Sequence, residues 1–201
     1  GYDISAIPVV NEHNLGAPIY NISPLEKALQ AIRNFPYPVI AMINGHAFGG
    51  GCELAVACDI RIGRDGITMG MPPAKLGIVY PPAGFRRFLN VLGFAKTLEM
   101  FLTGRRYDSR TCLSMGLLNE LVDPEVLETA TDHMAREISE NAPMALKGTK
   151  QALYKMAENP VLNGTEESEL AALFAQSLAS EDLLEGKRAF MEKRKPRFKG
   201  W

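Results

Sequence analysis

Gly49, Gly50 and Gly51 stand directly before Cys52 and Glu53, and that order of residue types can do chemistry. Three successive glycines carry no Cβ, so their backbone can approach a ligand closely. A small-residue apolar helix is expected to follow, and the N–H groups of its first turn suit an oxygen that gains negative charge. Glu53, near the start of that helix, adds a carboxylate able to act as acid or base. The stretch therefore outlines an oxyanion site with a titratable group beside it. A helix-start carboxylate favoured by the macrodipole is the plainer reading of Glu53 alone. Its place directly after the glycine run favours a site residue.

Other chemistries fit poorly. The Gly45–Gly51 run lacks both the Gly-x-Gly-x-x-Gly spacing and the Gly-Lys-Ser/Thr ending of phosphate loops. His13, His46 and His133 show no metal-ligand spacing, so no metal is expected. Cys52 has no motif pairing it with a base, and a buried structural thiol is the better reading. Cys52, Cys58 and Cys112 are an odd number in apolar surroundings, which suits a reducing, cytoplasmic setting. A formal net charge of -1 over 201 residues gives no reason to expect nucleic acid. The basic run from Lys193 to Lys199 reads as a solvated tail. No apolar stretch reaches membrane-spanning length and none resembles a signal peptide.

The elements that must position Glu53 can be placed from pattern. Ser23-Pro24-Leu25-Glu26 predicts a helix start, with Ser23 as N-cap, Pro24 at N1 and Glu26 closing a capping box. Val39 to Ile43 reads as a short buried strand leading into the glycines, Ile60 to Gly63 as a second, and Ile67 to Met71 as a third. Four prolines argue against regular structure from Pro72 to Gly84. Helices are expected from Gly84 to a stop at Gly93, from Phe94 to Leu102, and from Ser109 as cap to Gly116, with Leu117 to Val122 extended. Asp123 caps the next helix, which runs to Glu140. Helices at Pro143–Glu158, 165–179 and 180–193 complete a helical back half. The pattern predicts an α/β or α+β fold with a helical C-terminal part.

The order of motifs resembles the crotonase superfamily, also called the enoyl-CoA hydratase/isomerase family. The likeness rests on Gly45-His46-Ala47-Phe48-Gly49-Gly50-Gly51-Cys52-Glu53-Leu54, Cys58-Asp59, Leu102-Thr103-Gly104 with Tyr107, Gly116-Leu117-Leu118-Asn119, Asn141-Ala142-Pro143, and the closing Ser180-Glu181-Asp182, Glu185-Gly186 and Ala189-Phe190-Met191-Glu192-Lys193-Arg194. It implies a spiral core of ββα units over residues 1–122 and a helical trimerisation subdomain over 123–201. Gly1-Tyr2-Asp3 matches the end of the family's first oxyanion motif, so the chain is expected to lack the N-terminal strands of the fold. The resemblance further implies an acyl-CoA substrate, a homotrimer or dimer of trimers, and no cofactor beyond the CoA of the substrate. It assigns the two oxyanion N–H groups to Tyr2 and Gly50, and contacts to CoA to Phe190 and Lys193.

Two departures bear on the reaction. Hydratases of the family use two glutamates; the first matches Glu53, while the position of the second is Pro73, which cannot be an acid or base. Leu76-Gly77-Ile78-Val79-Tyr80 instead resembles the methylmalonyl-CoA decarboxylase branch, where a tyrosine stands in a similar Leu-Gly-x-x-Tyr. That branch usually has histidine where this chain has Tyr2, although a backbone N–H needs no particular side chain. The expected catalytic residues are therefore Tyr80 and Glu53, and the expected reaction is decarboxylation of a (methyl)malonyl-CoA-type substrate. Enoyl-CoA hydration or isomerisation is the alternative. A non-catalytic acyl-CoA-binding or protein-interaction role is the alternative of another class.

Overall fold

The apolar stretch ahead of the glycines forms β1 (Ile40–Ile43), and the computed structural model describes residues 24–159 and 161–201. Tyr2, Ser23 and His13 lie outside the described residues. The chain divides into two compact units, one holding residues 24–35 and 39–131, the other 36–38 and 132–201.

In the first unit, α1 (Pro24–Asn34) begins where Pro24 predicts it. After β1 a short strand that the sequence pattern does not reveal, β2 (Ala47–Phe48), leads to Gly49, whose φ of 54° is a conformation that favours glycine. Helix α2 (Gly50–Ala57) follows at once. Then come β3 (Ile60–Arg64) and β4 (Thr68–Gly70), close to the expected second and third strands.

The Pro72–Gly84 segment departs from expectation. Pro73–Leu76 is a turn of 3-10 helix, and α3 (Pro82–Thr103) starts two residues early because a proline is welcome at N1. Gly93, at φ 70° and ψ 176°, breaks α3 internally, where the sequence pattern places a stop. Gly104, at φ 54°, caps its end.

Two small sheets result. One has the order β1-β3-β6, where β6 is Glu120–Val122, and all its pairs are parallel, with Ile40 opposite Ile60 and Ile62 opposite Glu120. The other has the order β2-β4-β5, where β5 is Tyr107–Asp108; β2 and β4 are parallel, β4 and β5 antiparallel. Helix α4 (Ser109–Ser114) is capped by Asp108, which accepts from the Thr111 N–H at 2.7 Å. The sequence reading had Ser109 in that role; its hydroxyl instead donates to Asp65 at 2.5 Å.

The core of this unit gathers Ile43, Val56, Ile67, Met69, Met71, Phe88, Met100 and Leu117 around the buried thiols of Cys52 and Cys112. Two polar residues tie the strands together. Asp59 accepts from the Val39 N–H at 2.7 Å and its own N–H donates back to Val39 at 2.9 Å. The buried Arg61 donates to the carbonyls of Leu117 at 2.9 Å and Cys58 at 2.8 Å, and to the Asn119 side chain at 2.9 Å. The Cys58-Asp59 and Leu117-Leu118-Asn119 motifs are thus fasteners of the β1-β3-β6 sheet.

Asp123 precedes a 3-10 turn, Pro124–Val126, without a side-chain cap bond, and α5 (Leu127–Ser139) follows. The second unit is helical: α6 (Pro143–Glu158), α7 (Gly164–Leu178) and α8 (Glu181–Met191), with α6 packing on α7 and α7 on α8. Asn163 and Glu166 form a reciprocal capping box on α7, and Ser180 caps α8. The basic C-terminal run is pinned. Asp182 accepts from the N–H groups of Lys199 at 2.6 Å and Gly200 at 2.9 Å, and Arg194 grips Glu185 through two nitrogens. No helix among the described residues is long and apolar enough to cross a membrane.

Candidate active site

Within α2, Gly50 is the first residue and Glu53 lies one turn later, so both sit on one side of the helix. Intrahelical bonding begins when the Glu53 N–H donates to Gly49 at 2.9 Å. The amides of Gly50, Gly51 and Cys52 precede that point, which is the general condition of a helix start. Gly49 is held by its own N–H, which donates to the Gly70 carbonyl of β4 at 3.1 Å. The turn carrying Gly50 is therefore anchored to the sheet. Its other face is fixed by His46, whose Nδ1 accepts from the Thr68 N–H at 3.0 Å.

The Glu53 side chain is almost wholly buried, at 4% exposure, and is fully engaged. The Tyr80 hydroxyl donates to Oε2 at 2.5 Å, and Arg87 Nη1 donates to Oε1 at 2.7 Å. Arg87 also reaches Glu26 on α1, through Nη2 at 2.5 Å and Nη1 at 3.2 Å. One guanidinium thus serves two carboxylates. Burial alone would pull the Arg87 pKa down, but the hydrogen bonds it donates to Glu26 and Glu53 prevail and raise it. Burial pushes the Tyr80 hydroxyl far above its usual range, and the Glu53 charge and hydrogen bond push it the same way. Tyr80 therefore keeps its proton at any physiological pH.

Close packing fixes this geometry. A Cβ built on Gly84, in the first turn of α3, would lie 2.4 Å from Tyr80 Cε1 and 2.9 Å from Glu53 Oε1. Only a glycine lets the helix pass so near. The Tyr80 ring packs against Phe101, with centroids 5.4 Å apart, and against Phe85 at 6.2 Å.

Beside that ring lies an apolar cavity of about 420 Å³, bounded by Pro73, Ile78, Tyr80, Phe85, Leu98 and Phe101 among others. Thr97 lines it as well, at 4% exposure, and its hydroxyl is the one buried side-chain polar atom among the described residues that has no hydrogen-bond partner. A helical threonine ordinarily donates to the carbonyl four residues back. Here that residue is Gly93, whose backbone leaves the helix.

The structure therefore brings two expected residues, Glu53 and Tyr80, into direct contact. Pro73 is buried at the start of its 3-10 turn and supplies no titratable group. Phe190 and Lys193 belong to the second unit: Phe190 is 87% exposed at the rim of a cavity of about 600 Å³, and Lys193 follows α8 at φ 53°. Cys52 is fully buried, and desolvation pushes its thiol up to about 12. Gly84, Arg87 and Glu26 escaped the sequence reading. The spacing of Gly84 and Arg87, one helical turn apart and just after Tyr80, was the available signal. Glu26 is expected in a capping box with Ser23, which lies outside the described residues, and its carboxylate also meets Arg87.

The sequence profile of the enoyl-CoA hydratase/isomerase family matches residues 13–201. A carnitinyl-CoA dehydratase of Citrobacter koseri is 38% identical over 86% of this chain and 67% of its own length. The methylmalonyl-CoA decarboxylase of Escherichia coli is 33% identical over 100% of this chain and 75% of its own. Among solved structures, an enoyl-CoA hydratase from Bacillus anthracis superposes with a TM-score of 0.81 at 32% identity, over 88% of this chain and 68% of that one. A methylmalonyl-CoA decarboxylase superposes at 0.69 with 34% identity, over 92% and 72%. The chain thus spans between two thirds and three quarters of the length of these relatives.

Proposed function

Since the chain belongs to the enoyl-CoA hydratase/isomerase family, we propose that it acts on an acyl-CoA thioester through an enolate, by decarboxylating a malonyl- or methylmalonyl-type substrate. The observation that carries this reading is the Tyr80 hydroxyl held on a Glu53 whose oxygens are both engaged. A carboxylate occupied by Tyr80 and Arg87 is poorly placed to deprotonate water, and Pro73 stands in the second glutamate's place.

Decarboxylation needs neither. The bond between Cα and the carboxylate breaks, CO₂ leaves, and the electron pair passes into the enolate. The thioester oxygen then carries the charge, and we assign its two donors to the N–H groups of Gly50 and Tyr2. Losing one such donor typically costs roughly 10²–10³ in rate. The enolate is quenched by a solvent proton, because Tyr80 holds its own too tightly to give it up.

Tyr80 has a single O–H, and in the resting site it donates to Glu53. A substrate carboxylate brought to the ring side of Tyr80 would meet a hydroxyl oxygen and apolar carbon rather than a donor. Such surroundings disfavour the ionised acid relative to neutral CO₂. The cavity beside Tyr80 is the place we assign to the acyl group. Phe190 and Lys193 are assigned to CoA in a homotrimer or dimer of trimers, and a cytoplasmic enzyme with no cofactor beyond CoA completes the proposal.

Hydration or isomerisation is the second reading, favoured by the 38% identity to a carnitinyl-CoA dehydratase. Mass spectrometry of the products from a panel of acyl-CoAs, using the full-length protein, separates the two. The expected result is CO₂ release from malonyl- or methylmalonyl-CoA, reduced about 100-fold or more by Tyr80→Phe and by Glu53→Gln. Rapid hydration of crotonyl-CoA with no CO₂ from either malonyl thioester would overturn the proposal.

A further inference from the structure

The Glu53 carboxylate is met from two directions. Tyr80 approaches from the segment before α3 and Arg87 from α3 itself. Behind Arg87 stands Glu26 from α1, which takes two of the guanidinium's hydrogen bonds while Glu53 takes one. Side-chain exposure rises along this row, from 5% at Glu53 to 18% at Arg87 and 24% at Glu26. Two carboxylates therefore share one guanidinium, and breaking either pair would leave a largely buried charge less well met.

We propose that Arg87 and Glu26 are positioning residues for the reaction: Arg87 orients Glu53 through Oε1 so that Oε2 fixes Tyr80, and Glu26 anchors the other side of the same guanidinium. The inference rests on Glu53 and Tyr80 being the catalytic pair. Arg87 fits the task because its planar fork can bind two carboxylates in fixed directions, which an ammonium cannot do. Glu26 fits because it holds the guanidinium from the solvent side.

A positioning role separates charge from direction, which a purely structural role would not. An ammonium in place of the guanidinium keeps the charge but loses the fork that aims Glu53 at Tyr80.

The test measures kcat and KM with whichever acyl-CoA the wild-type protein turns over fastest. Arg87→Met is expected to lower kcat about 100-fold with little change in KM. Glu26→Gln, which removes one of the two anchors of the fork, is expected to lower kcat about 10-fold, again with KM kept. Arg87→Lys, which restores the charge without the fork, should recover only part of kcat. If Arg87→Met does not fold, Arg87→Lys and Glu26→Gln carry the test. Wild-type kcat in Glu26→Gln and Arg87→Lys, or a loss that appears in KM rather than kcat, would overturn the inference. Tyr80→Phe and Glu53→Gln run alongside: if they keep full activity, the catalytic pair itself is wrong; if they lose it while the Arg87 and Glu26 variants keep kcat, only the positioning role is wrong.

Discussion

Replacing Gly84 by alanine adds one methyl where the site has no room. The new Cβ would lie 2.4 Å from Tyr80 Cε1, 2.6 Å from Cδ1 and 2.9 Å from Glu53 Oε1. Carbon atoms in ordinary contact sit about 3.5–4.0 Å apart, so the ring must retreat by about 1 Å. That retreat opens the 2.5 Å bond between Tyr80 and Glu53 past useful length. A hydrogen bond to a charged group contributes about 1.5–3 kcal/mol, which at 1.4 kcal/mol per tenfold is about 10- to 100-fold in kcat. Stability responds differently. Alanine gains about 1 kcal/mol of helix propensity over glycine, while overpacking costs about 1–3 kcal/mol. The net loss is therefore small, up to about 2 kcal/mol. Turnover and urea denaturation measured on the same preparation separate the two effects. A Gly84→Ala variant with wild-type kcat, or one that is unfolded, would refute the reasoning.

Two more outcomes follow from packing and burial. Gly70→Ala should lower the urea midpoint more than Gly63→Ala, because its Cβ meets the Arg105 backbone carbonyl at 2.5 Å, whereas that of Gly63 meets the movable methyls of Leu118 at 2.8 Å and Ile67 at 3.0 Å; equal losses would contradict the assignment. Cys52 titrates ordinarily at 9.0 and is pushed up to about 12 by burial, so below about pH 9 the thiol is protonated in both states and adds no pH dependence. Above that pH the unfolded chain releases the proton first, and stability should fall by about 1.4 kcal/mol per pH unit until the folded thiol also ionises. Comparing alkaline unfolding of the wild type with Cys52→Ala checks this, and parallel curves would show that Cys52 is not the group responsible.

Much of the fold was legible in residue order because its signals are local. Prolines at N1 mark the starts of α1 and α6, and Gly104 marks the end of α3. The glycine run before Glu53 located the turn. What escaped depends on distance in space: β2 is two residues long and exists only by pairing with β4, and Arg87 meets Glu53 across 34 positions of sequence. Ser109 and Asp108 are both good caps by type, and the choice between them was made by Asp65, which claims the Ser109 hydroxyl. Glu26 carries the local signal of a capping box, while the guanidinium that reaches it comes from 61 positions away and leaves no mark in the neighbouring residues.

The break at Gly93 makes α3 two levers in one ribbon. Helical cooperativity travels along the hydrogen-bond ladder, and a backbone at φ 70° and ψ 176° interrupts it. The first lever carries Arg87 and the close approach at Gly84; the second carries Thr97, Leu98 and Phe101, a wall of the apolar cavity. Substitutions at Thr97 and Leu98 can reshape that wall while Phe101 stays on the Tyr80 ring and the first lever keeps its charges in register. Under the proposed assignment of the cavity to the acyl group, a lineage could in this way change what it accepts without rebuilding how it reacts, and libraries varied at 97 and 98 alone are the natural place to begin.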